Sequence, residues 1–327
     1  MQRRMILWVG VLLALALAAG WAWRVWRQPA PAPVRVALLP FTTVNERVMA
    51  GFKQALAEHG WVEGRNVAYR ATPADGAMDK LDARMAEFMA WKPHLVLAMS
   101  TPPSQAAYRA TKGTGTAVVF APATDPLAAG IVSGLARPGE QITGIRLLPS
   151  NGLRLEYLQR VAPQARKIYV PYHRGDRSAE STLAQIEPAA RSLGLQLLLR
   201  PVEGSDDLAA AARDIPADVG AVFLPQDSRI EAVIEQFVAA CERRRLPLSA
   251  PGVIQVEQGA LMTFGFDHAA IGRQAGRLAA AILAGTPPGN LPVEAAENAL
   301  FINLRAAQAI GLPVDEALLR QAKGIIR

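Results

Sequence analysis

The sequence predicts an α/β protein of two successive lobes, each an open, doubly wound parallel sheet with helices on both faces. Three observations carry that expectation. Short β-branched runs alternate with apolar stripes at helical spacing. At 327 residues the chain is longer than one ordinary core requires. The alternation also runs through twice, with the second half repeating the pattern of the first.

The N-terminus is read first. After Arg3 and Arg4 the chain is apolar through residues 5–23, a length that spans a bilayer core and predicts export to a periplasmic or other extracytoplasmic location. Two fates fit this N-terminal apolar helix. Ala16-Leu17-Ala18 offers the small-residue pattern of a cleaved signal sequence. Trp21, Trp23 and Trp26, beside Arg24 and Arg27, resemble the interfacial belt of an anchor retained in the inner membrane. Residues 1–27 are thus a signal sequence or anchor, and the proline-rich residues 28–33 form an extended linker.

Strands are expected in the first half at 34–39, 66–70, 94–99, 117–120 and 142–145. Between the first two, Val48, Met49, Phe52, Leu56 and His59 make a helical stripe that Gly60 stops. The second half supplies strands at 167–170, 195–199, 221–224 and 247–249. A helix over 229–244 there puts Ile230, Val233, Ile234, Phe237, Val238 and Cys241 on one face, so Cys241, the only cysteine, reads as a core thiol.

Charge and composition exclude several classes. A chain 51% hydrophobic and 19% charged can fill its cores and is not disordered. The net charge is +7, but Arg3, Arg4, Arg24 and Arg27 supply four of those charges and the remainder carries +3. The other basic residues are scattered, and Arg243-Arg244-Arg245 falls at a helix end where cations suit the dipole. No nucleic-acid partner is expected. His59, His94, His173 and His268 lack metal-ligand spacing, and neither a phosphate-binding glycine loop nor a nucleophile elbow occurs. No cofactor, metal or catalytic residue is read, and an α/β enzyme is the weaker alternative.

Open parallel sheets bind ligands beyond the carboxyl ends of their strands. In the first lobe that rule selects Phe41 and Thr42 after the first strand. It also selects Ser100, Thr101 and Ser104 at a helix start suited to a carboxylate or phosphate, and Thr124 with Asp125 before a helix expected near Leu127. In the second lobe it selects Tyr172 as an aromatic wall and Asp227 as the partner of an ammonium group, which together suit a zwitterion such as an amino acid. Each hydroxyl or carboxylate has a structural alternative as a helix cap, Asp125 and Asp227 included.

These loops resemble, in order, those of the ABC transporter substrate-binding proteins, in the family that includes tryptophan- and tyrosine-associated members. Gly60-Trp61-Val62-Glu63-Gly64-Arg65-Asn66-Val67 is similar to a GYxEGKNV segment. Ser100-Thr101-Pro102-Pro103-Ser104-Gln105-Ala106 is similar to an ATPxAQA turn, and Thr124-Asp125-Pro126-Leu127-Ala128-Ala129-Gly130 to TDPVxAG. Pro225-Gln226-Asp227-Ser228 stands for PTDN. Gly265-Phe266-Asp267 with Ile271-Gly272-Arg273-Gln274-Ala275-Gly276 resembles GFDYxxLGRQxG, and Ile302-Asn303-Leu304-Arg305-Ala306-Ala307 resembles INLKAA.

The resemblance implies a type I periplasmic-binding-protein fold whose lobes are joined by three crossovers, near residues 146–150, near Phe266 and Asp267, and near Leu291. Lobe 1 is then 34–147 plus 268–290, and lobe 2 is 148–267 plus 291–327. It implies capture of a small polar metabolite by hinge closure, an ABC permease as membrane partner, and no need for more than a monomer. Two departures touch ligand chemistry, and the first is that Tyr172-His173 stands where the family commonly has an asparagine. Where the family carries a Ser-Asp or Ser-Glu pair after the ninth strand, this chain has Ala250-Pro251-Gly252, and Gly252 takes that place in the cleft. A membrane-anchored sensor lobe is the alternative use of the same fold.

Overall fold

The computed structural model describes residues 32–42, 45–139 and 141–327. The expected N-terminal helix and most of the linker lie outside them. Among the described residues no helix is long and apolar enough to cross a membrane.

The chain builds two sheets. The first contains β1 (Val34–Leu39), β2 (Val67–Ala71), β3 (Leu95–Ala98), β4 (Ala117–Ala123), β5 (Ile142–Arg146) and β11 (Glu294–Ala295), in the order β11-β5-β4-β3-β1-β2. All its pairs are parallel. The second contains β6 (Lys167–His173), β7 (Gln196–Val202), β8 (Ala221–Phe223), β9 (Leu248–Ser249), β10 (Met262–Phe266), β12 (Asn298–Asn303) and β13 (Gly324–Ile326), in the order β13-β12-β10-β9-β8-β6-β7.

Each sheet has its first strand between the second and third, so each has a topological switch point. In the first sheet it lies between β1 and β3, and in the second between β6 and β8. Loops leaving adjacent strands diverge there and open a crevice.

The strand expectations at 66–70, 94–99 and 167–170 are met within a few residues, while four strands of the chain's last third were not read: β10, β11, β12 and β13. Two consequences follow. Because β11 pairs with β5, the first lobe keeps the chain through Ala295, and the third crossing lies after it instead of near Leu291. The second sheet is also not wholly parallel. The chain enters β12 from the hinge, at the ends where β10 finishes, so β12 runs antiparallel to β10.

Helices α1 (Asn45–Glu58), α2 (Leu81–Trp91), α3 (Thr101–Thr111) and α10 (His268–Leu283) cover the first sheet. The second is covered by α4 (Asn151–Val161), α5 (Arg177–Leu193), α6 (Gly204–Arg213), α7 (Ser228–Glu231), α8 (Ile234–Arg244), α9 (Val253–Glu257), α11 (Leu304–Ile310) and α12 (Glu316–Gln321).

The expected helix over 229–244 divides into α7 and α8 at Val233, whose N–H bonds Ile230 at 3.1 Å, three residues back. Its apolar stripe survives the break, with Ile230, Ile234, Phe237 and Cys241 buried. Burial pushes the Cys241 thiol up to about 12, as a core cysteine requires. Of the Arg243-Arg244-Arg245 run, Arg244 is not simply solvated: it donates to the carbonyls of Ile215 and Pro216.

The first lobe is closed by the packing of α1 on α10. A Cβ at Gly51 would lie 2.1 Å from the Ala269 carbonyl oxygen, and one at Gly272 would lie 2.1 Å from that of Val48. At Gly276 it would meet Ala55 Cβ at 2.6 Å. Gly272 and Gly276 are one helical turn apart and face Gly51 and Ala55, which share the same spacing on α1. Only glycine permits this approach, which also brings Phe52, Leu56, Ile271, Ala275 and Ala279 into one core.

Gly272→Ala is therefore expected to cost about 3 kcal/mol, because two backbones must separate; a loss below about 0.5 kcal/mol in urea unfolding would contradict the tight contact. A second expectation concerns His268, the first residue of α10. Burial lowers its pKa from 6.5 to about 4, with opposing help from Asp267. Between those two values the unfolded chain binds a proton that the folded chain does not, so stability rises with pH across this window and falls as acid is added. The swing is at most about 3 kcal/mol. His268→Phe should flatten that part of the stability profile, measured by unfolding at a series of pH values.

Candidate functional site

The crevice of the first lobe is organised by a buried asparagine. Asn45 Oδ1 accepts the backbone N–H of Phe41 at 2.8 Å and of Thr42 at 3.1 Å, holding the loop after β1 against the start of α1. The loop after β2 joins it, since Gly76 N–H donates to the Phe41 carbonyl at 2.7 Å. Phe41 is half-buried on the core, and Thr42 is exposed.

Across the switch point, Ser100 has φ 84° and ψ 161°. That region is essentially reserved for glycine, and holding serine there costs on the order of 1–3 kcal/mol. The strained residue begins α3, whose first turn has no acidic residue and whose N-cap makes no side-chain cap bond. Thr101 Oγ1 accepts the Thr124 N–H at 3.3 Å, tying the loop after β4 to the start of α3.

Two residues chosen from sequence do not fit the surface of this crevice as expected. Ser104 is fully buried, and its hydroxyl donates to the Ser100 carbonyl at 2.7 Å, so it supports the helix start from behind. Asp125 is exposed, but no helix follows it. Its carboxylate accepts from Leu127 at 3.1 Å and Ala128 at 3.0 Å, and the turn ends at Gly130, which takes φ +68°.

In the second lobe the switch point is bridged by a buried pair. His173 at the end of β6 and Asp227 after β8 meet at 2.7 Å between Nδ1 and Oδ2, and they are 2% and 1% exposed. The same carboxylate accepts the backbone N–H groups of His173 at 3.3 Å, Arg229 at 3.0 Å and Ile230 at 3.3 Å. Asp227 thus caps α7 and clamps two strand ends together. Its carboxylate is spent on the scaffold, which corrects the expectation of an open acid waiting for an ammonium group.

Tyr172, one residue before, lies half-buried on the opposite face of the sheet, packed on the core that holds Val170. Gln226 is partly exposed beside Asp227 and donates its N–H to Thr182 at 3.3 Å. Gly252 is buried, with Gln255 Oε1 only 2.9 Å from where its Cβ would stand. The Gln255 side chain therefore packs close against the Gly252 backbone.

Sequence reasoning missed Arg154, which lies beneath this floor. It is 1% exposed, donates to the Leu224 carbonyl at 2.7 Å and stacks its guanidinium 3.8 Å over the Phe223 ring. A lone arginine on an amphipathic helix reads as a surface residue, and no local signal marks it otherwise. A cavity of about 670 Å³ lies at the hinge, lined by Leu148, Leu153, Phe264, Ala295, Asn298 and Lys323 among others. None of the candidate residues chosen from the sequence lines it.

The chain matches the family described as ABC transporter substrate binding protein over residues 43–326. A tyrosine-binding protein from Clostridioides difficile is 26% identical over 268 residues, covering 82% of this chain and 77% of that protein. A solved conserved domain protein from Vibrio cholerae is 28% identical with a TM-score of 0.76, covering 89% of this chain and 99% of that one. The ABC domain from Streptococcus pneumonia, solved in complex with L-Trp, shares the fold at a TM-score of 0.77 and 23% identity, over 90% of this chain and all of that one, 100%. With its two switched α/β sheets, three crossings and this match along nearly the whole described chain, the protein belongs to the ABC transporter substrate-binding protein family.

Proposed function

We propose that the protein captures an amino acid, with an aromatic side chain as the first class to test, between its two lobes on the outer side of the membrane and delivers it to an ABC permease. The observation that carries this reading is the helix start at Ser100 and Thr101. Strained backbone, two hydroxyls and the N-terminus of α3 converge there at the switch point of the first sheet, a fitting seat for a carboxylate. Phe41 and Tyr172 supply ring surface on opposite lobes, and Thr42, Thr124 and Asp125 are exposed at the rim. The relatives that bind tyrosine and L-Trp support the ligand class.

In this reading Ser104, His173, Asp227, Gly252 and Gln255 shape the crevice from behind. Gln226, beside the clamp, takes the role of polar contact from the second lobe. Ligand favours the closed arrangement only through contacts that both lobes make at once. Delivery fits export directed by residues 5–23.

The test is thermal unfolding of the purified protein against amino acids, nucleosides, sugars and dipeptides. L-Tryptophan or L-tyrosine at about one hundred times its Kd should add about 2.7 kcal/mol of stability. A response confined to sugars or nucleosides would sink the amino-acid reading. Thr101→Val should weaken binding by about 1.5–3 kcal/mol, the scale of a hydrogen bond to a charged group, measured by calorimetry.

Asp227→Ala should act on the fold instead, lowering unliganded stability by about 2–4 kcal/mol in urea because it removes a cap and leaves buried donors unpaired. Asp125→Ala should cost about 1 kcal/mol. An Asp227→Ala protein that lost binding at unchanged stability would return that carboxylate to the ligand.

A further inference from the structure

Arg47 lies in the first turn of α1, on the first lobe, and Glu257 ends α9, on the second. Their side chains meet in a two-pronged pair, with Nη1 to Oε1 at 3.0 Å and Nη2 to Oε2 at 2.5 Å. The partners are 210 residues apart, and neither belongs to a crossover. Among the described residues it is the one ion pair that joins the body of one lobe to that of the other. Both side chains keep water contact, at 44% and 41% exposure.

The surroundings favour this pair over other partners. Asp267, on the second crossover, attracts Arg47 more weakly and is itself 3.8 Å from Arg273. The local charges therefore sum to two acids and two bases, with the geometry of a planar fork reserved for Arg47 and Glu257. Two parallel N–H···O bonds fix orientation as well as distance, so the contact specifies one relative position of the lobes.

We propose that Arg47 and Glu257 form a cross-lobe latch that sets the hinge equilibrium before any ligand arrives. The proposal rests on the hinge-closure reading above. An exposed pair of good geometry shifts a two-state ratio by about two- to fivefold, small enough to leave the lobes free to exchange. It also makes the ratio depend on salt, because exposed charges are screened. The apparent affinity for ligand then scales with the fraction of the chain in the ligand-competent arrangement, which the latch shifts.

The test measures the distance between lobes in the full chain without ligand. Spin labels on Lys112→Cys and Arg213→Cys report it, since both positions are exposed at helix ends remote from the crevice. Cys241 is 2% exposed and escapes the label. Arg47→Glu and Glu257→Arg each set like charges face to face and should reduce the population at the main wild-type distance by at least about fivefold. The double reversal should restore it, which also shows that the single variants are not simply misfolded. Raising salt from about 0.01 M to about 1 M, which shortens the screening length from about 30 Å to about 3 Å, should move the wild type toward the single variants.

Identical distance distributions in wild type, single and double variants at low salt would overturn the latch. That result would leave the ligand panel standing, and a salt-dependent distance in a protein that binds no amino acid would leave the latch standing alone.

Discussion

The close crossing of α1 and α10 is the constraint on which the rest of the molecule depends. Three glycines let the two backbones approach to a distance that no side chain permits. The helix that makes this contact begins immediately after β10, a strand of the other sheet. The core of the first lobe is therefore completed by residues that the chain supplies only after most of the second lobe. A chain arranged this way must cross between lobes to finish its first core and cross again to reach β12. The hinge is thus a consequence of how that core is filled, and such distant contacts also delay folding.

The crossings enter both lobes at the carboxyl ends of their strands, so the switch points of the two sheets face a shared crevice. Loops there run on past the last strand-to-strand hydrogen bonds, and short polar side chains satisfy part of their backbones. Asn45 serves the loop after β1, Asp125 the turn after β4, and Asp227 the start of α7. The Asp227 clamp does more, because His173 ties it to the neighbouring strand. Loops bonded internally in this way have fewer backbone groups to order when a ligand settles on them, which lowers the cost of binding.

The floor of the second lobe shows how charge is accommodated beneath such a surface. Arg154 keeps its guanidinium out of water over the Phe223 ring while one nitrogen holds the Leu224 carbonyl, just before the loop that carries Gln226 and Asp227. A buried cation held in this way positions the loop without touching the crevice. The Arg47 and Glu257 pair contrasts with it. Left in water, that pair is weak enough to break, which suits a contact between bodies that move.

By itself the sequence determined the class of fold, the positions of most strands in the first two thirds and the burial of Cys241. These are local matters, since apolar periodicity and the stops at Gly60 and other breakers act over a few residues. It also pointed to the strand ends as the place to look for a site, because the strand-end rule needs only element order. Tertiary structure decided the rest. The strands β11, β12 and β13 are short or half-buried, and they exist only through pairing with distant partners. The same held for individual site residues: serine, threonine and aspartate at a helix start have the chemistry of a cap and of a ligand contact alike. Burial separates the two. Ser104 and Asp227 turned inward onto backbone donors and acceptors, while Thr42, Thr124 and Asp125 stayed at the surface. That division depends on which neighbours the fold brings within hydrogen-bonding reach, and those neighbours lie as far as 54 residues away along the chain.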